Sequence, residues 1–377
     1  MTDNVEENIS LKSGCNTECP GCAHKHLTRA QSLAQKEKWL KNRLAIWTTK
    51  FDPIRTVDEK SRWGYRGKVC LSTQWENGKW HFGLIKNETV IPIHDCPVHT
   101  RQIQEAISLL SASLPPAVIF PLAYYVQTGS QITLVVKSKQ MPDLTWLDDP
   151  LIRALNHFGI KGLWVHLHPC TGKKVFAKNT WHLLYGSPRS VDENQFIYGP
   201  RSFQQLIPAL YDQALSSAET FLTPAAEDIF IDLYCGIGAG LARWQQRCAT
   251  IMGVELDGEA VDCARENAPN VTILRGKCSD RIPQLIQWAD SHPPYKKRRL
   301  YVNPPRTGLE PKTLQWIAAD YKPDRMVYLS CSAGTLQRDL AHFEINGYQI
   351  IKITPYDFFP QTLHVETMVF IQPKNKI

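Results

Sequence analysis

No run of apolar residues in this chain comes close to the roughly 20 that a membrane-spanning helix needs; the best is the short stretch at residues 117–126. Residues 1–7 are acidic and polar, without the basic start and apolar centre of a secretory signal. A soluble, cytoplasmic protein with no membrane partner is expected, with a monomer as the plain expectation. The chain also lacks internal repeats and low-complexity tracts, so nothing points to a repeat architecture or a disordered linker. It has little excess charge of one sign. A net +7 from 43 Lys and Arg against 36 Asp and Glu favours a polyanionic partner only weakly. What is present is ordinary globular material, 43% hydrophobic and 21% charged, and its 377 residues exceed the roughly 250 at which one core stops growing, so two or three domains are expected.

Without an export signal, the eleven cysteines do not read as a disulfide framework, which leaves metal ligation, catalysis or burial. Three of them crowd into Cys15-Asn16-Thr17-Glu18-Cys19-Pro20-Gly21-Cys22, and Cys96 lies far off in His94-Asp95-Cys96-Pro97. Close spacing on a Gly/Pro loop lets three thiolates converge, and a distant turn can close a four-ligand shell. The spacing does not separate zinc from iron–sulfur.

Residues 29–47 carry Leu33, Trp39, Leu40, Leu44 and Ile46 at helical spacing among Lys and Arg, which predicts an amphipathic helix. Residues 62–93 change to short alternating runs with a hairpin signal at Asn77-Gly78. A helix at 101–110 and strand runs at 122–127, 131–136, 162–167 and 181–185 complete a β-rich α+β domain ending near residue 198. From there strand-like runs at 229–234, 250–255, 271–274, 299–302 and 326–330 alternate with helical stretches, the grammar of a doubly wound parallel sheet. The last two runs, 348–353 and 366–372, are joined without a helix and predict an antiparallel pair at the edge.

The chemistry-bearing motifs fall at strand ends. Asp232-Leu233-Tyr234-Cys235-Gly236-Ile237-Gly238-Ala239-Gly240 is a glycine turn between strand and helix, where the backbone can approach a ligand closely. Leu241 breaks the dinucleotide fingerprint, and Glu255 closes the next strand where an acid can accept ribose hydroxyls; S-adenosylmethionine fits both features. Asn303-Pro304-Pro305-Arg306 follows another strand on a rigid loop, where Asn303 can meet cofactor or base and Arg306 a phosphate or carbonyl. Cys331 sits between a strand and a helix N-terminus, an environment that can stabilise a thiolate. His364 and Glu366, two residues apart at a strand entrance, are expected on one face, and either could be a general base.

Taken together, Asp232 to Gly238, Asn303-Pro304-Pro305-Arg306, Ser330-Cys331-Ser332-Ala333-Gly334-Thr335 with Arg338-Asp339-Leu340, and Phe359-Pro360-Gln361-Thr362-Leu363-His364-Val365-Glu366 resemble the RNA uracil-5-methyltransferase family. Tyr65-Arg66-Gly67-Lys68 and Leu184-Tyr185-Gly186 echo its central domain. The resemblance implies a Rossmann-like methyltransferase domain at 199–377 and, at 1–198, an RNA-binding central domain with an iron–sulfur cluster, the helix near 29–47 packing with the catalytic domain. It implies Cys331 as nucleophile, Glu366 as base, and Gln205, Asp232, Tyr234, Gly236, Gly238, Glu255 and Asn303 as S-adenosylmethionine contacts. Cys15, Cys19, Cys22 and Cys96 would ligate a four-iron, four-sulfur (4Fe-4S) cluster, in preference to zinc.

The cysteines lie so near the start that the family's small leading β-barrel has no room, as in its shorter members acting on ribosomal RNA. The implied activity is methylation of carbon 5 of a uridine in RNA, 23S ribosomal RNA foremost. Transfer RNA is the alternative substrate, and a non-catalytic iron–sulfur RNA-binding protein the alternative class. The second alternative is motivated by departures from the family pattern: Gln204 and Ile207 flank Gln205 where an aromatic and an asparagine are usual, and Lys277-Cys278 stand where an acid is usual.

Overall fold

The computed structural model describes residues 10–172, 174–178 and 180–374. The chain forms two compact units, one from Met1–Thr28 with Asp58–Arg201 and one from Arg29–Val57 with Ser202–Ile377. Helix α1 (Arg29–Arg43) therefore belongs to the second unit, although most of the first unit follows it in sequence. Leu40, Leu44 and Trp47 enter that unit's core, but Trp39 and Ile46, expected on the apolar face, are 52% and 72% exposed. The buried face runs through Ser32, Lys36 and Leu40 instead, four residues apart. Its centre is a lysine with a buried carboxylate to meet, which hydrophobic spacing alone does not signal. The helix stops at Arg43, and Ala45–Lys50 tighten into a 3-10 turn in which Trp47 leaves helical geometry.

The first unit is built on strands β1 (Lys68–Glu76), β2 (Lys79–Lys86), β3 (Thr89–Pro92), β4 (Leu122–Thr128), β5 (Gln131–Val136), β6 (Gly162–Leu167) and β7 (Trp181–Gly186), in the spatial order β3-β2-β1-β4-β5-β6-β7. Asn77 and Gly78, with φ of +51° and +77°, supply the two left-handed residues that turn β1 tightly into β2. Helix α2 (Arg101–Ser113) buries Ile103, Ala106, Ile107 and Leu110 in the same core as the sheet. All neighbouring strands are antiparallel except β5 and β6. That parallel pair needs a crossover, supplied by α3 (Asp149–His157), whose start is capped by the Asp148 side chain accepting from the Leu151 N–H at 2.9 Å. A small pair, β8 (Ser190–Val191) and β9 (Ile197–Tyr198), follows.

The second unit continues with α4 (Pro208–Leu222), β10 (Ile229–Leu233), α5 (Ala239–Trp244), β11 (Thr250–Glu255), α6 (Gly258–Asn267), β12 (Thr272–Arg275), α7 (Cys278–Asp290), β13 (Arg298–Val302), α8 (Pro311–Trp316), β14 (Arg325–Ser330), α9 (Ala333–Ile345), β15 (Tyr348–Tyr356) and β16 (Glu366–Pro373). Its strand order is β12-β11-β10-β13-β14-β16-β15, parallel from β12 to β14, with β16 running antiparallel to both neighbours. The expected terminal antiparallel pair is present, and its second member slots between β14 and β15. This is a doubly wound α/β fold. The order reverses between β10 and β13, so a crevice opens at the carboxyl ends of those strands, the usual ligand position in such a sheet. Phe51 and Arg55 bridge to Ile353 and Tyr356 in parallel, so the segment after α1 covers the outer edge of β15. Among the described residues no helix is long and apolar enough to cross a membrane.

At the opposite end of the sheet from the crevice, Arg299 donates from Nε to Asp228 Oδ2 at 2.9 Å, with the two side chains 5% and 2% exposed. Removing one partner of such a pair leaves a buried charge uncompensated. Arg299→Met should therefore cost about 3–5 kcal/mol in denaturant unfolding, and adding Asp228→Asn should return much of the loss.

Candidate active site

Two clusters of side chains meet at the carboxyl ends of the parallel strands. The first surrounds the glycine turn after β10. Tyr234 holds φ at +61°, and Gly236 and Gly238 hold +56° and +85°. A Cβ on Gly238 would lie 3.1 Å from Ala264 on α6, so this turn requires glycine for both conformation and space. Glu255 at the end of β11 organises the turn: one oxygen accepts from the Gly236 N–H at 3.0 Å, the other from the Leu256 and Asp257 N–H groups at 2.7 and 2.8 Å. Tyr234 donates its hydroxyl to Glu310 at 2.6 Å, and the Asn303 N–H donates to the Leu233 carbonyl at 3.2 Å.

Asp232, 1% exposed, accepts from the Trp244 indole at 2.9 Å through Oδ2, while Oδ1 has no hydrogen-bond partner among the described residues. Burial pushes its carboxyl up to about 8; the Trp244 hydrogen bond opposes the shift and the Glu255 charge adds to it. A buried acceptor left without a donor is costly unless a ligand supplies one. Gln205 Oε1 is a second such acceptor. The orphaned Asp232 acceptor at the strand end before the glycine turn suits the ammonium end of an amino-acid moiety, and Glu255 suits hydroxyls, so these residues fit S-adenosylmethionine.

The second cluster joins three strand ends. Cys331 follows β14, Arg306 lies on the loop after β13, and Glu366 opens β16. Burial pushes the Cys331 thiol up and the Glu366 charge pushes it further, while the Arg306 guanidinium pulls it down by charge and hydrogen bonding. Glu366, 3% exposed, is raised to about 7 by burial, against the Gln205 hydrogen bond and the Arg306 charge. Gln205 donates from Nε2 to Glu366 Oε2 at 3.1 Å, so the residue assigned to the cofactor by resemblance also fixes the carboxylate. His364 and Glu366 do not share a face as expected. The strand begins only at Glu366, so His364 is outside it and exposed while Glu366 is buried.

Sequence reasoning gave no role to Asp339, which is fully buried on α9. Its Oδ2 accepts from the Leu309 N–H at 3.0 Å and the Tyr328 hydroxyl at 2.7 Å. Thr335 donates to the Arg306 carbonyl, and Arg338 to those of Thr307 and Leu309. The helix that follows Cys331 thus clamps the loop that carries Arg306. The motif Arg338-Asp339-Leu340 was the available signal.

In the first unit the four cysteines act on one another through charge. Burial raises Cys22 to about 12, followed by the charges of Cys96, Cys19 and Cys15; Cys96 and Cys15 are raised by burial and by Cys19 in the same way. The Cys96 sulfur accepts from the backbone of Val98 and His99, and Cys19 Sγ accepts from the Gly21 N–H at 3.4 Å. Lys25 donates to the carbonyls of Thr17 at 2.6 Å and Cys19 at 3.0 Å, which closes the loop. Among the described residues no group of three or more His, Cys, Asp or Glu side chains is already arranged to hold a metal ion. Four clustered thiols whose ionised forms would repel one another, two of them accepting N–H donors, are nonetheless the donor set for a thiophilic centre, since a bound cation takes them as thiolates and offsets their charge.

A family model described as tRNA (Uracil-5-)-methyltransferase matches residues 29–374. An uncharacterised RNA methyltransferase of Clostridium tetani is 27% identical, covering 94% of this chain and 81% of its own. The 23S rRNA (uracil(1939)-C(5))-methyltransferase RlmD of a Marinomonas species is 26% identical over 95% of this chain and 79% of its own. The Pyrococcus abyssi tRNA (uracil-54, C5)-methyltransferase, solved with S-adenosyl-L-homocysteine, superposes with a TM-score of 0.68 at 22% identity, covering 94% and 86% of the two chains. That likeness extends the fold agreement to nearly the whole chain.

Glu366 provides a pH test. Its ordinary value of 4.5 is raised to about 7 in the fold, so its contribution to stability is fully present below 4.5 and is lost as pH rises through 7. Relative to Glu366→Gln, the native protein should lose ~3 kcal/mol of unfolding free energy across that window, with a constant difference above it. Parallel denaturant titrations of the two proteins check the sign.

Proposed function

Because the chain belongs to the tRNA (uracil-5-)-methyltransferase family, we propose that it methylates carbon 5 of a uridine in RNA by covalent catalysis through Cys331, with 23S ribosomal RNA as the favoured substrate. The observation that carries the reading is the convergence of Cys331, Arg306 and Glu366 from three strand ends, with Gln205, from the segment before α4, bonded to Glu366. S-adenosylmethionine supplies an electrophilic methyl group, held by Asp232, Tyr234, Gly236, Gly238, Glu255, Asn303 and Gln205.

Carbon 5 of uracil is a poor nucleophile, and the residues present answer that difficulty in sequence. The Cys331 thiolate adds to carbon 6, and the ring electrons move onto the carbonyl oxygen at carbon 4, leaving an enolate whose carbon 5 can take the methyl group. Arg306 is the cation that offsets both the thiolate and the developing ring charge. Once sulfur is bound to the ring, its negative charge no longer opposes ionisation of Glu366, so the carboxylate becomes available when its turn as base comes. Glu366 removes the carbon 5 proton, and loss of Cys331 restores the ring. A carboxyl raised to about 7 is well matched to that task near neutral pH. The target base must be unstacked or flipped to reach so buried a site.

Cys15, Cys19, Cys22 and Cys96 would hold a 4Fe-4S cluster, and with all four thiols engaged its role is structural. The electrostatic coupling among these four thiols, which requires them to be close together, supports the assignment, as do the N–H donors on two of the sulfurs. Transfer RNA remains a second reading, favoured by the description of the family and by the activity of the Pyrococcus abyssi relative.

Release of tritium from RNA labelled at uridine carbon 5 tests the chemistry. It should require S-adenosylmethionine and fall by roughly 1000-fold or more in Cys331→Ala. Using separated ribosomal and transfer RNA from cells lacking the protein decides the substrate, and no release from either would sink the proposal. Protein purified without oxygen should contain iron and acid-labile sulfide in equal amounts and lose both in Cys96→Ser; a colourless, zinc-loaded sample would replace the cluster with zinc.

A further inference from the structure

A buried ammonium from α1 reaches the segment that leads to Glu366. Lys36 donates to Asp357 Oδ1 at 2.5 Å, to the Phe359 carbonyl at 2.9 Å and to the Pro360 carbonyl at 3.5 Å. One turn earlier Ser32 donates to the same Pro360 carbonyl at 3.2 Å. Asp357 is held from its other side as well, its Oδ2 accepting from Thr56 at 3.3 Å and its N–H donating to the Arg55 carbonyl at 2.9 Å. The side chains of Lys36 and Asp357 are both 0% exposed. From there local bonds carry the restraint onward: the Thr362 N–H and hydroxyl both donate to the Phe359 carbonyl, and the His364 N–H donates to the Thr362 hydroxyl. The chain of fixed contacts ends two residues before Glu366.

Stability alone does not call for a lysine here, because apolar residues of similar volume commonly replace a buried ion pair at no loss. An ammonium gathering several oxygens at once does something a methyl group cannot: it dictates the path of the backbone that carries them. We propose that Lys36 is a positioning residue for Glu366, fixing residues 357–360 so that the carboxylate faces Cys331 and Arg306, a role that rests on Glu366 being the general base. The step it governs is the last one. The carboxylate takes the carbon 5 proton, the C–H electron pair becomes the double bond between carbons 5 and 6, and the carbon 6 to sulfur bond breaks to return Cys331 as thiolate.

The test uses the full-length protein carrying Lys36→Met with Asp357→Asn, which leaves no uncompensated charge, beside Lys36→Met alone and Glu366→Gln. The double variant should melt close to the wild type and keep its KM for RNA. Its kcat should fall by about 10- to 100-fold, the scale of a small misplacement of a reacting group. It should also accumulate a methylated, denaturant-resistant RNA–protein adduct, as Glu366→Gln should. A double variant with wild-type kcat, one that slows without building up adduct, or one that no longer folds would each overturn the positioning role. Absence of tritium release from the wild-type protein would instead overturn the underlying reading of Glu366, and the positioning role with it.

Discussion

A carboxylate and a thiolate cannot both be buried side by side without a cation, and the chemistry of this protein is organised around that constraint. Glu366 is nearly fully buried and Cys331 half-buried beside it, and the Glu366 charge raises the cost of ionising Cys331. Arg306 acts on both, and Gln205 adds a hydrogen bond to the carboxylate alone. A site built this way holds less negative charge than its two acids could carry, and under the proposed covalent route a ring that takes up the sulfur would relieve the conflict.

The scaffold spends much of its polar hardware on holding this arrangement. Asp339 and its neighbours on α9 tie the Arg306 loop to the helix that follows Cys331, so Arg306 and Cys331 share one support. Segment Arg29–Val57 performs the corresponding service on the other flank, extending the sheet beyond β15 and enclosing Asp357 from two sides. Its separation in sequence from Ser202–Ile377 is therefore a feature of connectivity, since in space it completes the same core.

Much of the fold could be read along the chain because parallel strands buried on both faces leave unmistakable apolar runs, and glycine, proline and Asn-Gly mark the turns between them. The α1 face was misread for a physical reason: hydrophobic spacing points to Trp39 and Ile46, whereas the helix is oriented by Lys36, whose burial depends on a carboxylate 321 residues away. His364 and Glu366 were misread similarly, since alternation holds only inside a strand and β16 begins at Glu366. Gln205 was expected, from the resemblance alone, to contact the cofactor, but its bond to Glu366 joins positions 161 residues apart and leaves no local trace.

By itself the sequence determined which side chains stand at strand ends: Asp232, Glu255, Asn303, Cys331 and Glu366 each lie at or beside the end of a run whose period and composition are local properties. It also determined the clustering of three cysteines within one loop. Only the tertiary structure decided which of these residues share a charge, that β16 lies between β14 and β15, and that Arg29–Val57 closes the second unit. The reason is that electrostatic coupling and desolvation depend on distance and burial in space, and neither is encoded in the spacing of residues along the chain.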